Sequence, residues 1–148
     1  MDFEYFQYSS IPDNSIVEGI MSLHRSIFGD SNDLVYKMES KKNLLINVAI
    51  KDTHVVGYKI GYELDHDKFY SWLGGVDKDF RKYGVASKLM DIQHQHLKEN
   101  GYKIVQTKTM NKWRNMLILN IKKGFDVIST YTDEKGEIKI ILEKSLIN

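Results

Sequence analysis

The chain has 148 residues, 42% of them hydrophobic and 28% charged, which is typical of a globular protein with one substantial core. Lysine and arginine number 21 and acidic residues 20, so the net charge of +1 excludes the broad basic surface that most nucleic-acid-binding proteins need. The chain has no cysteine, which excludes disulfides, a thiol nucleophile and cysteine-ligated zinc. We therefore expect a single domain over residues 1–148 that binds no nucleic acid.

Targeting signals are not evident in the sequence. No apolar run approaches the roughly 18 residues that cross a bilayer. The acidic, mixed start of the chain is unlike a signal peptide. Together with the missing cysteines, this pattern predicts a cytoplasmic protein that does not bind membranes.

Strand and helix patterns alternate along the first half of the chain. Residues 2–8 alternate as a strand, and apolar residues at helical spacing predict a helix that ends at Phe28. A second helix is predicted to begin after a cap at Ser31 or Asn32 and to end near residue 42. Three strands joined by turn residues are then predicted over residues 44–50, 56–62 and 69–76.

The second half is predicted to begin with a helix over residues 83–100. His94 and His96 lie two positions apart on it and point in different directions, so they are not a metal-binding pair, and we expect no metal. A strand over 103–109, a helix within 111–123 and strands over 125–131 and 137–145 complete the pattern. The inward residues of the last helix are predicted to be Met116, Leu117 and Ile121. The fold class is α/β: a mixed sheet of about seven strands with about four helices on both faces.

One stretch carries a candidate anion site, because an apolar strand ending at Val76 leads through a charged loop into a helix. The first backbone N–H groups of a helix have no partner within it, and the helix dipole favours an anion there. Gly84 lets a bulky anion approach the backbone, and Arg81 and Lys82 add positive charge. These residues predict a cradle for a phosphate or pyrophosphate.

The same residues resemble the acyl-CoA signature of the GNAT superfamily of N-acetyltransferases, (Arg/Gln)-x-x-Gly-x-(Gly/Ala), as Arg81-x-x-Gly84-x-Ala86. Phe80 before the motif and the pair Gly124-Phe125 after the last helix agree with it, whereas Lys78 stands where many relatives have proline. The resemblance implies the GNAT fold and acetyl-CoA as cosubstrate. It implies that the CoA-binding residues are Gly75, Val76, Arg81, Lys82, Tyr83, Gly84, Val85, Ala86, Ser87, Asn111 and Asn115.

The resemblance also suggests catalytic roles. The backbone amide of Val76 is the candidate oxyanion contact, in a cleft where its strand leaves the next one. Many relatives have a tyrosine that protonates the thiolate, but Asn120 stands at that position and offers only a contact to the sulfur or pantetheine. Glu63 is the first candidate for the base, with a water chain or Tyr131 as alternatives. Glycines at 74 and 75 predict a bulge or a close backbone approach in the strand.

The predicted function is N-acetyl transfer from acetyl-CoA to a primary amine of unidentified nature. Tyr62, Tyr70 and Trp72 near the cleft are candidates for holding a cation or a ring. A non-catalytic acyl-CoA-binding regulatory module is the alternative, favoured by Asn120, and a plain interaction domain is a third. The fold also suggests a homodimer through the last strands, by analogy alone.

Overall fold

The computed structural model describes residues 1–147; Asn148, the last residue of the predicted domain, lies outside the described part. Its helices and strands follow the predicted order. They are β1 (Glu4–Tyr8), α1 (Asn14–Phe28), α2 (Leu34–Glu39), β2 (Leu45–Lys51), β3 (His54–Asp65), β4 (Lys68–Val76), a short 3-10 turn (Lys78–Phe80), α3 (Val85–Glu99), β5 (Ile104–Met110), α4 (Arg114–Lys122), β6 (Asp126–Thr132) and β7 (Ile138–Ser145).

The strands of the described residues form one mixed sheet in the order β1-β2-β3-β4-β5-β7-β6. Neighbouring strands are antiparallel except for β4 and β5, which run parallel. Such a pair needs a crossover connection, and here α3 supplies it. The predicted α/β fold with seven strands and four helices is confirmed.

Alternating apolar residues cover the two faces of the sheet with different helices. On one face, Ile20 of α1 and Met38 of α2 pack with buried residues of β2 and β3 such as Ile46. On the other face, α3 inserts Leu97 between residues of β4, β5 and β7, and α4 packs beside it. The predicted helices on both faces are therefore confirmed.

Two local predictions are wrong. The residue before α2 is Asp33, whose side chain makes no capping bond, and Ser31 is instead buried, where its hydroxyl accepts from Arg25. In α4, Ile121 is 52% exposed whereas Asn120 is only 2% exposed. The apolar spacing predicted the wrong inner face because α4 is short. Its orientation depends on how it packs against neighbouring elements and not on hydrophobicity alone.

Candidate functional site

A cleft opens between β4 and β5 at the end of the sheet that follows Trp72. The two strands pair over only four residue pairs, the last of which joins Ser71 to Thr107. At the same point, the β3–β4 register shifts between Ile60 and Gly61, which leaves Trp72 without a partner on β3. An extra residue of this kind is a β-bulge and bends its strand. The predicted separation of the two strands is confirmed.

Gly74 and Val76 present their backbone groups to this cleft. The Asp77 N–H donates to the Val56 carbonyl oxygen on β3 over 2.8 Å. Antiparallel strands alternate between residues that bond to the neighbouring strand and residues that point away from it, so Gly74 and Val76 both point away from β3. The Val76 N–H therefore faces the cleft, the direction that its predicted oxyanion contact requires.

Gly75 has a different surrounding from the one predicted. By the same alternation, its N–H and carbonyl groups pair with Tyr58 of β3 and not with a ligand in the cleft. A Cβ on Gly75 would lie 2.6 Å from Cδ1 of Ile27, so the glycine allows α1 to approach the strand. The predicted close approach to Gly75 exists, but it is made by the Ile27 side chain of α1. The predicted bulge lies at Trp72. Gly74, absent from the predicted set, offers the backbone contact instead.

The loop after β4 leaves the N-terminus of α3 open. Lys82 and Gly84 have left-handed φ angles of 74° and 78°. A Cβ placed on Gly84 would meet no atom within 4 Å, so the space beside it is free. No side chain caps α3, and its first turn has no acidic residue. The first bond of the helix runs from Lys88 N–H to the Gly84 carbonyl, which leaves unpaired the N–H groups of Val85, Ala86 and Ser87.

Arg81 links this loop to the cleft. Its Nε donates to the Val76 carbonyl oxygen over 3.1 Å, which uses one side of the guanidinium and leaves the other N–H groups for a ligand. The Phe3 ring packs against the loop, with its centroid 6.0 Å from that of Phe80 and 6.2 Å from that of Tyr83. Loop, helix terminus and strand therefore form one continuous surface of donors, which fits an elongated anion such as CoA.

The opposite wall comes from the segment between β5 and the end of α4. Asn111 and Asn115 are both exposed near the start of α4, where they remain predicted CoA contacts. Asn120 lies on the inner face of the helix. Trp113 stacks edge-on against Phe28 at the end of α1, with 5.5 Å between ring centroids. This contact brings α1 and α4 together at the mouth of the cleft.

Glu63 is not placed as a general base would be. It pairs with Phe69 on β4, where β4 is still paired with β5, and not at the open end. Its carboxylate accepts hydrogen bonds from Tyr102 over 2.8 Å and from Asn43 over 3.0 Å, and it forms a salt bridge with Lys42 over 3.0 Å. These contacts, that of Tyr102 most, lower the pKa of Glu63 to about 2. A carboxylate held in this way suits a structural role better than proton transfer.

A histidine that the sequence analysis passed over lies closer to the cleft. His24 of α1 is buried and its Nδ1 is hydrogen-bonded to the Tyr58 hydroxyl. That hydroxyl is 3.4 Å from the position of a Cβ on Gly75, so the pair lies directly against the cleft strand. Burial lowers the pKa of His24, partly offset by Asp30, so the imidazole is neutral at pH 7. His24 is an isolated polar residue in an apolar helix pattern, and its partner Tyr58 is distant in sequence. The sequence pattern therefore does not indicate this pair.

Neither a metal centre nor a membrane span appears in the described part of the chain. No group of three or more histidine and acidic side chains there could hold a metal ion. No helix among these residues is long and apolar enough to cross a membrane.

Comparison with known proteins identifies a family. The model of the acetyltransferase (GNAT) domain matches residues 31–107, more than half of the chain. No curated protein matches the sequence. Among solved structures, Ard1 from Thermoplasma volcanium superposes with a TM-score of 0.85 at 15% identity, over 99% of both chains.

Two further structures have the same fold. The ribosomal-protein-S18-alanine N-acetyltransferase from Escherichia coli has a TM-score of 0.81 at 14% identity, covering 98% of this chain and 96% of its own. A GNAT family acetyltransferase from Elizabethkingia anophelis, solved with acetyl-CoA bound, has a TM-score of 0.74 at 15% identity over 97% of each chain. At these identities, the likeness concerns the fold.

Replacement of Glu63 by glutamine should lower stability and spare catalysis. Because the folded-state pKa lies below that of the unfolded chain, the carboxylate stabilises the fold above about pH 4.3, and this stabilisation is lost as the pH falls towards 2. Thermal unfolding of Glu63→Gln at pH 7 should give a lower Tm than the parent, and the difference should shrink between about pH 5 and 2. Glu134→Gln, in an exposed turn, is the control. An unchanged Tm with lost turnover would restore Glu63 as the base.

Proposed function

Because the chain belongs to the GNAT family of acetyl-CoA-dependent acetyltransferases, we propose that it transfers an acetyl group from acetyl-CoA to a primary amine. The observation that carries the proposal is the continuous row of donors from Val76 through Arg81 to the open N-terminus of α3. We further propose that the whole chain is one catalytic domain, acting in the cytoplasm that a cysteine-free sequence suits.

Positioning is the first task of the protein in this reaction. The N–H groups of Val85, Ala86 and Ser87 and the free side of Arg81 bind the pyrophosphate, since both offer donors to a dianion. Acetyl-CoA supplies the activated acetyl group. The cleft-facing N–H group of Val76 then holds the carbonyl oxygen and stabilises negative charge on it, which fixes the reacting carbon for attack, and the Gly74 backbone one step along the strand bonds the pantetheine arm.

Proton transfer is the second task, and we assign its base to His24. The reacting amine has a pKa near 10.4 in water and must lose a proton before it attacks. His24 is neutral at pH 7, and we assign it the tautomer in which Nδ1–H donates to the Tyr58 oxygen, because this leaves the Nε2 lone pair to take the proton directly or through water. With Asn120 at the tyrosine position of relatives, the thiolate leaves with a hydrogen bond in place of a proton from a phenol.

A non-catalytic acyl-CoA-binding module remains the second candidate, favoured by Asn120. Such a module would bind acetyl-CoA in the same cradle as the enzyme and would differ from it only in lacking turnover. For either candidate we propose a homodimer through β6, supported by the exposure of all its residues at the edge of the sheet.

Acetyl-CoA should raise the melting temperature of the parent but not that of the double variant Arg81→Ala, Gly84→Asp. A ligand at 100 times its Kd stabilises a protein by about 2.7 kcal/mol, which is several degrees for a domain of this size. Aspartate tolerates the left-handed φ at 84 and suits a helix N-terminus, so the variant should fold while its carboxylate repels the pyrophosphate.

The matched control is Arg81→Ala, Gly84→Asn, which has nearly the same shape at 84 without the charge. It should keep part of the shift. Release of free CoA thiol in the presence of amines then separates the enzyme from the binding module. An equal shift in parent and Asp variant, or none in a folded parent at millimolar acetyl-CoA, would contradict the cradle.

His24→Gln should keep the bond to Tyr58 and lose the proton acceptor. We expect kcat to fall by at least about 100-fold, the lower end of the effect of a general base, with an unchanged acetyl-CoA shift. In the parent, kcat/KM should fall as the pH drops through the pKa of His24. This acidic limb of the pH profile should be absent from the variant. His66→Gln, in an exposed turn, is the control. A variant that retains the limb would exclude His24 as the base.

A further inference from the structure

A row of aromatic side chains lies on the α1 face of the sheet beside the mouth of the cleft. Tyr62 contacts Trp72 and Tyr70 edge-on, with ring centroids 5.6 and 5.5 Å apart. Trp72 is the bulge residue at which β4 leaves β5. Burial raises the pKa of Tyr70 to about 12, so this phenol is neutral at physiological pH. We name Tyr62, Tyr70 and Trp72 the aromatic row.

Two lysines already occupy the ring faces of the row. The Lys41 Nζ, from the segment after α2, lies 4.5 Å from the centroid of Tyr62 and 5.0 Å from that of Trp72. The Lys108 Nζ, from β5, lies 6.0 Å from the centroid of Tyr70. It also lies 5.4 Å from the centroid of Tyr131 on β6. An external cation would have to displace them, so the aromatic row is not a free site for a cation.

The two ammonium groups lack acidic partners within residues 1–147. Neither Lys41 nor Lys108 forms a salt bridge there. The carboxylate of Glu143, on the same face, accepts from Lys68 over 2.9 Å and from Gln106 over 2.8 Å. An ammonium over a ring keeps N–H groups directed away from the ring. The Lys108 Nζ also donates to the Tyr131 hydroxyl over 3.4 Å, which uses one of its three N–H groups. The mouth of the cleft thus presents two cations, each with at least one further donor for an anion.

The distance to the reacting carbon fits a single small acceptor. Val76, whose N–H is proposed to hold the reacting carbonyl, lies four residues beyond Trp72, about 13 Å along the strand at about 3.3 Å per residue, and the Lys41 ammonium lies over the Trp72 ring. A group held by Lys41 or Lys108 is therefore too far away to be the reacting amine. The group that these lysines bind is therefore a second group of the same acceptor, and a short chain joins it to the reacting amine.

We infer that the acceptor is a small amine that carries a carboxylate, with the carboxylate bound by Lys41 and Lys108 and the amine directed to the cleft. This deepens the proposed acetyl transfer and rests on it. The reaction balances without a further reactant: the amine nitrogen bonds to the acetyl carbon, the carbon–sulfur bond breaks, and the amine proton and CoA thiolate leave. The product is an N-acetylated amino acid.

Three linear amines of equal length test the inference, because they differ only in the charge of the far end: 4-aminobutyrate, 4-aminobutanamide and 1,4-diaminobutane. We expect kcat/KM to be highest for the aminobutyrate and about tenfold lower for the diamine, and the difference to shrink in 0.5 M salt. The variant Lys41→Gln, Lys108→Gln should bring the three amines within about twofold of one another. Lys42→Gln, whose lysine is paired with Glu63, should keep the parent order.

Binding of the same amines to the acetyl-CoA complex, measured by thermal shift, gives a readout that does not depend on turnover. A preference for the diamine, or an order that the double variant leaves unchanged, would overturn the inference. An acetyl-CoA shift without binding or acetylation of any of the three would overturn it too and leave the proposed function standing. A missing acetyl-CoA shift would overturn the proposed function and this inference together.

Discussion

The structure depends on one extra residue in β4. Up to Ser71 the strand is hydrogen-bonded on both sides, and from Trp72 onward it is bonded only to β3. The backbone groups of Gly74 and Val76 therefore face a gap in the sheet. Buried backbone groups without partners are costly, so a gap of this kind calls for a ligand or water to fill it. An extended chain with amide groups, such as the pantetheine arm of CoA, has the donors and acceptors to do so.

The bulge also positions the two ends of the site. Towards α3, the Val76 carbonyl accepts a hydrogen bond from Arg81, which ties the loop to the end of the strand. Towards α1, Gly75 accommodates Ile27, and Tyr58 binds His24 beneath it. The proposed cofactor cradle and the proposed base are thus both attached to the stretch from Trp72 to Val76. A change in its register would affect both.

Most of the fold could be predicted from local patterns. Alternation from Val56 to Tyr62 and helical spacing up to Phe28 both depend on neighbouring residues, and the corresponding strand and helix appear in the structure. The donors of the proposed cradle could be predicted for the same reason, because they follow from a strand, a loop and a helix N-terminus in sequence. Gly75 was misread, since only the register with β3 shows where its backbone groups point.

The proposed base could not be predicted in this way, because long-range contacts decide which side chain is placed to act. Glu63 is a strand-end glutamate in the sequence, and its role changes once Tyr102, 39 residues away, donates to it. His24 meets Tyr58 across 34 residues. Likewise, it depends on the fold that Lys41 and Lys108 have no carboxylate partner among residues 1–147. Composition and spacing contain no information about such pairings.

Backbone amide resonances recorded during titration with CoA would test the central claim most directly. We expect the largest shifts at Gly74, Val76 and the first turn of α3, with little change in β1 and β6. Shifts concentrated on β6 and β7, or none at saturating CoA, would contradict a cleft opened by the Trp72 bulge as the site of binding.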